Sequence, residues 1–270
     1  MKKLFFTFCI AVSGIAGAQM KEGKVIYERT MQMPVRMLVT NGSGDAPLPE
    51  LPPTRTDQFE LMFANNQSLW QFLPNANDEN PGMQMSGGGE GRLVTRVGGL
   101  NDIVYHNFTT LTRTEQREVA GRNFLVEDSV RKLNWKLTDE TKTILNYTAR
   151  KATAQRIGTR PQVTMENGEM KRREVPDTAN IAAWFTTDIP VPAGPGAEYQ
   201  GQLPGLILEV DVNNGRNVIK AIEVNAKVNA KQIKEPKDGK KLTAAEFIKE
   251  RDRLMEEMMQ NMRGNIRIQQ

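Results

Sequence analysis

His106 is the only histidine in the 270 residues, and Cys9 is the only cysteine. A histidine base needs a nucleophile on one side and an orienting group on the other. His106 stands in Val104-Tyr105-His106-Asn107-Phe108, a strand-like run, and neither Ser68 nor Ser129 sits in a strand–turn–helix context that would expose a nucleophile. It is therefore read as a packed or half-exposed strand residue. One imidazole without thiols does not build a zinc site. Asp139-Glu140, Asp188 and Glu256-Glu257 have no dyad-like spacing, and Asp102 and Asp211 match no calcium loop. The expectation is a protein that is not an enzyme and holds neither cofactor nor metal.

Two patterns hint at other chemistry. Fourteen methionines include Met31, Met33 and Met37, the pair Met83 and Met85, and Met255, Met258, Met259 and Met262. Thioethers bind Cu(I), and Met83 and Met85 are the best placed for it, because their loop has no core to fill. Methionines at helical spacing read as adaptable packing instead. Gly87-Gly88-Gly89 lacks the Lys-Ser/Thr and the helix that a phosphate loop requires.

The N-terminus bounds location. Lys2-Lys3, an apolar run from Leu4 to Ile15, and Ala16-Gly17-Ala18 form a secretory signal over 1–18, with cleavage after Ala18. Cys9 lies inside the apolar run and not at the cleavage point, so no lipid anchor is expected. The mature chain is then free of cysteine, and its stability must come from an ordinary core. The formal charge of +4 loses two lysines with the leader, which argues against nucleic acid. The expected compartment is the periplasm, with no membrane-spanning segment.

The elements that would position a site are mostly strands. Hairpin turns are expected at Ala64-Asn65-Asn66-Gln67, at the Ala120-Gly121 pair and at Asn213-Asn214-Gly215. Another is expected at Asp139-Glu140-Thr141, with Ile144 to Arg156 readable as strand or short helix. Residues 41–56 and 75–91 have loop composition. Arg160 to Thr178 is polar; it contains an Asn167-Gly168 turn, and Lys171-Arg172-Arg173 reads as a solvated loop. The period then changes: Thr243 with Glu246 forms a capping box, and Phe247, Leu254, Met258 and Met262 fall near one helical face.

Ala183-Trp184-Phe185-Thr186 leads into Ile189-Pro190-Val191-Pro192 and Gly194-Pro195-Gly196, followed by Gln202-Leu203-Pro204-Gly205-Leu206-Ile207-Leu208. With Lys151-Ala152-Thr153 upstream, this resembles the signature of the GLPGLI family, exported proteins of the Bacteroidota envelope. Gln202 replaces the first glycine of the motif. The resemblance implies an envelope location and a β-rich fold, and carries no established activity. Locally, Leu203-Pro204-Gly205-Leu206 suits a type II turn with Gly205 at positive φ. Leu206-Ile207-Leu208 suits a strand covered on both faces.

The fold expected is α+β and β-rich: a curved antiparallel sheet or half-barrel with a C-terminal amphipathic helix, one domain over 19–270. The function expected is a non-catalytic exported binding or envelope-assembly factor. Its apolar groove, between sheet and helix, would hold a lipid or other hydrophobic ligand against Trp184, Tyr199, Leu203, Leu206, Phe247 and Met258. The alternative is a periplasmic interaction protein that docks an outer-membrane partner through the Pro-rich segment and the motif Gln202, Leu203, Pro204, Gly205, Leu206 and Ile207.

Overall fold

The computed structural model describes residues 19–32, 54–74, 83–85, 93–95, 102–130, 132–166 and 169–267, with side-chain detail for all but 83–85, 93–95, 160–172 and 259–267. The signal segment, Met33, Met37, the triple glycine and most of the 41–56 and 75–91 stretches lie outside the described residues. So do the side chains of Met83 and Met85, whose backbone forms a short strand.

The strands run in chain order as β1 (Gly23–Gln32), β2 (Thr54–Ala64), β3 (Gln67–Leu73), β4 (Met83–Met85), β5 (Leu93–Thr95), β6 (Ile103–Asn107), β7 (Thr112–Val119) and β8 (Arg122–Ser129). They continue as β9 (Lys136–Ile144), β10 (Tyr147–Glu166), β11 (Glu169–Thr186), β12 (Leu206–Val212), β13 (Asn217–Asn225) and β14 (Lys240–Thr243), followed by helix α1 (Ala244–Arg267). Twelve of them form one open curved sheet in the order β14-β8-β7-β6-β3-β2-β1-β13-β12-β11-β10-β9, and β4 pairs with β5 separately. Every ladder is antiparallel except β14 on β8, which makes the sheet mixed.

Turn chemistry explains the hairpins. Asn65-Asn66, Ala120-Gly121 and Leu145-Asn146 each have two consecutive positive φ values, the type I′ geometry that matches strand twist. The turn expected at Asp139-Glu140-Thr141 is therefore displaced to Leu145-Asn146. Asp139 and Glu140 sit instead in an irregularity of β9, where Arg150 faces Thr141 and Ala152 faces Leu137. The 144–156 segment is strand. The polar stretch expected as loop is also strand: β10 and β11 pair without interruption from Arg150↔Phe185 to Glu166↔Glu169. Beyond Thr153 and Ile181 the two strands leave the sheet as a two-stranded arm, roughly 40 Å long at about 3.4 Å per residue. On β11 the root alternates, with Ala179 and Ile181 buried between more exposed neighbours. On β10 residues 155–159 are all exposed and carry no inside-to-outside alternation for a sequence reading to find.

Two apolar clusters hold the sheet. The first gathers Val25 and Tyr27, Phe59, Leu61 and Phe63, Trp70, and Leu206 and Leu208. The second holds Ala183, Phe185, Ile207, Val210 and Val212. Consecutive residues 206–208 thus feed different clusters, and β12 is buried on both sides. The helix packs elsewhere. Phe247 and Leu254 close over Phe124 and Val126 of β8, at the β14 end of the sheet. Its start is fixed by the capping box, with the Thr243 N–H donating to Glu246 Oε2 at 2.8 Å.

Candidate functional site

Nineteen residues cross from the end of β11 to the start of β12, and this crossing carries most of the motif. Ile189, Val191 and Ala193 bury in the first cluster, and Tyr199 and Leu203 in the second. Backbone bonds lace it to β12: Leu206 N–H donates to the Ile189 carbonyl and Ile207 N–H to that of Ala193. Tyr27, fully buried, donates its hydroxyl to the Ile207 carbonyl at 2.6 Å. Gly205 does not take positive φ, so the type II turn is corrected. Its glycine serves close approach: a Cβ there would stand 2.0 Å from the Thr186 carbonyl oxygen. Gln202, the departure from the motif, accepts from the Leu133 N–H at 2.7 Å and from the Trp135 indole N–H at 3.1 Å. It thereby ties the chain before β9 to the crossing.

Beneath the crossing runs a polar row set by strand register: Ser68 on β3 faces His106 on β6, His106 faces Arg113 on β7, and Arg113 faces Asp128 on β8. Ser68, His106 and Gln200 are all fully buried. Ser68 Oγ donates to Gln200 Oε1 at 2.6 Å, and Gln200 Nε2 donates to the Gly196 carbonyl at 2.7 Å. Arg113 reaches the Ala197 carbonyl at 3.2 Å. The row latches the crossing to the sheet. His106 makes no hydrogen bond from either nitrogen and lies near the ring of Phe108, 6.2 Å between centroids. Burial, reinforced by the Arg113 charge and only partly offset by the Ala197 backbone, pulls its pKa down to about 3.

The residues expected to share an apolar groove separate into three places. Leu206 belongs to the first cluster, with Trp184 packed against it, and Tyr199 and Leu203 to the second. Burial, with the Glu198 charge adding to it, pushes the Tyr199 pKa up to about 12. Phe247 lies edge-on to Phe124 at 5.8 Å beside the helix, and Met258 is exposed there. The motif's apolar side chains are buried; Pro190 and Pro204 are exposed.

A concave surface lies elsewhere and is mixed in character. A hollow of about 540 Å³ opens over the β9–β12 face at the root of the arm. Lys136, Lys151, Thr153, Gln155, Asn180 and Asp211 line it, with Ala154, Ile157, Ile181 and Ala182 as its apolar members. Strand pairing explains the grouping: Thr153 faces Lys136, Ala182 faces both Thr153 and Asp211, and Gln155 faces Asn180. Trp184 extends the same face, two residues beyond Ala182. Lys142 Nζ sits 4.2 Å from its ring centroid and Lys151 Nζ 5.7 Å. Lys142 also pairs with Glu209 at 2.6 Å, and Lys151 with Glu140 at 2.9 Å. Sequence reading missed Thr153, Asn180 and Asp211 as a group. Only the arm's register brings them together.

Residues 135–209 match a family model described as a protein of unknown function, Porph_ging. That stretch holds the crossing and much of the hollow. No curated protein matches the chain. Among solved structures, one described as PNGF-II in a P21 space group aligns at TM-score 0.51 and 15% identity, over 87% of this chain and 34% of the other. A second, PNGF-II in a C2 space group, aligns at 0.49 and 15%, over 84% and 32%. This chain therefore spans about a third of the length of the solved chain it matches. The likeness is one of fold: β-rich with a single curved sheet. Among the described residues, no helix is long and apolar enough to cross a membrane.

Proposed function

We propose that this is a non-catalytic binding protein of the cell envelope, exported to the periplasm by its leader, and that the hollow at the root of the arm seats its ligand. The GLPGLI-like motif serves as the strap that shapes the sheet. The observation that carries this reading is the division of labour in the molecule. The motif's apolar residues are spent in packing, while the hollow sets hydroxyl, amide, carboxylate and ammonium groups around an apolar floor of comparable extent. Such a mixed lining suits a ligand that carries both polar and apolar groups, rather than the bare acyl chain expected from the apolar residues alone. The absence of catalysis is supported by His106, which is sealed from solvent and has no carboxylate to orient it. Docking through the Pro-rich segment has less support, because most of the segment's surface is internal.

Native mass spectrometry of the protein taken from its own envelope fraction tests this. A bound mass should accompany the wild type and be missing from Ala182→Trp, which fills the hollow. A ligand retained by that variant, or a wild type that is bare, would refute the assignment.

A further inference from the structure

The two sides of the arm's root are finished differently. On the β11 side the loop after β12 closes the edge: Asn213 donates its N–H to the Asn180 carbonyl at 2.8 Å and accepts from the Asn180 N–H through Oδ1 at 2.9 Å. On the β10 side β9 begins only at Lys136, opposite Thr153. The chain before it turns away, because Gln202 holds Leu133 and Trp135 against the crossing. Among the described residues no strand pairs with β10 past Thr153 on this side.

Alternation fixes which backbone groups are left bare. The two-residue turn at Leu145-Asn146 makes Ile144 and Tyr147 a hydrogen-bonded pair, so odd-numbered residues of β10 turn their N–H and C=O toward β9. Thr138 Oγ1 donating to the Lys151 carbonyl fits that parity. Continuing it, Gln155, Ile157 and Thr159 present N–H and C=O outward with no strand beside them among the described residues. All three residues are exposed, Ile157 at 82%. The next outward position is Pro161, which has no N–H to offer. Proline at an outward position is how natural sheets block pairing along an edge, and here it sets the limit of the bare stretch.

We infer that the β10 edge at Gln155, Ile157 and Thr159 is a docking edge for an extended segment of a partner polypeptide, which takes the line that β9 vacates and lays alternate side chains into the adjoining hollow. This rests on the binding function proposed above and names the class of ligand. Main-chain pairing supplies affinity and the pocket beside the edge supplies selectivity, the pattern of β-strand addition. Continuity with the β9–β10 ladder favours it: the added strand extends an existing sheet and meets Lys136, Gln155 and Ile157, which line the hollow. The bare stretch spans five residues, short for a stable pairing of two copies of this chain and suited to one peptide strand.

The test uses the whole mature chain and the strongest binder selected from a displayed library of random nine-residue peptides. Binding should slow amide exchange at Gln155, Ile157 and Thr159. Ile157→Pro removes one outward donor and leaves the β10–β11 ladder intact, and should weaken the peptide about tenfold, the loss of roughly one main-chain hydrogen bond. Ile157→Thr changes the same side chain but keeps the outward N–H, and should lose clearly less than Ile157→Pro. Circular dichroism should not change in either variant. The inference fails if no peptide is selected, if Ile157→Pro binds as tightly as the wild type, or if the chain dimerises through this edge. A non-peptide ligand that fills the hollow while these three amides exchange freely would sink this inference alone and leave the binding function standing.

Discussion

The buried histidine makes a quantitative prediction. His106 is fully buried, unpartnered and neutral, and its pKa falls from the ordinary 6.5 to about 3. Because the folded value is depressed, the unfolded chain takes up a proton first as pH falls through 6.5, and folding stability drops from there until about pH 3. Between pH 7.5 and pH 5 the linkage amounts to about 2 kcal/mol, and by pH 4 it is about 3 kcal/mol. His106→Leu removes the titrating group, and the Ala197 carbonyl beside it keeps its hydrogen bond from Arg113. Urea unfolding of wild type and variant at pH 7.5 and pH 5 measures the difference. The wild type should lose about 2 kcal/mol more than the variant over that interval. Other carboxylates titrate in both proteins and cancel in the comparison. Equal losses would show that His106 is solvated or protonated in the fold, and would refute the sealed latch.

Three further outcomes follow from the geometry. Gly205→Ala sets a methyl 2.0 Å from the Thr186 carbonyl oxygen and should cost about 3 kcal/mol or more in chemical denaturation, beyond an ordinary overpacking penalty. Burial, with Glu115 adding to it and Arg117 opposing it, raises the Asp102 pKa to about 6. The folded state thus takes up this proton first, so Asp102→Asn should be more stable than wild type at pH 8, and the gap should close as pH falls through 6. Gln202→Gly leaves the Leu133 N–H and the Trp135 indole N–H without their acceptor and should lose about 1–3 kcal/mol of stability.

What the sequence made legible was local. Asn65-Asn66 and Asn213-Asn214-Gly215 announce turns because their residue types tolerate positive φ. Thr243 and Glu246 announce a helix start because the cap spans three residues. The double burial of 206–208 is visible as an uninterrupted apolar run. The arm was hidden, because residues 155–159 on its β10 side are all exposed and follow no period. Gly205 was assigned to the wrong cause: a glycine needed for conformation and one needed for close approach look alike until Thr186 is placed beside it. The Ser68–His106–Arg113 row and the hollow depend on which strands become neighbours. Ser68 and Gln200 are 132 positions apart, and no local pattern in either segment points to the other.

The strand order also bears on how the chain assembles. β1 to β3 with β6 to β8 form one run of near neighbours and β9 through β13 another, and the two meet where β1 pairs with β13. The chain then returns to its first half, laying β14 and the helix on β8. Each run can condense from short-range hairpins, but both seams wait for residues near the C-terminus, a high-contact-order closure that is slow for a chain of this size. Until then β1 and β8 remain open edges, available to strangers. The last segments made are thus the ones that protect the first, and truncation after Asn225 would leave a sheet joined along one seam and unlocked at the other.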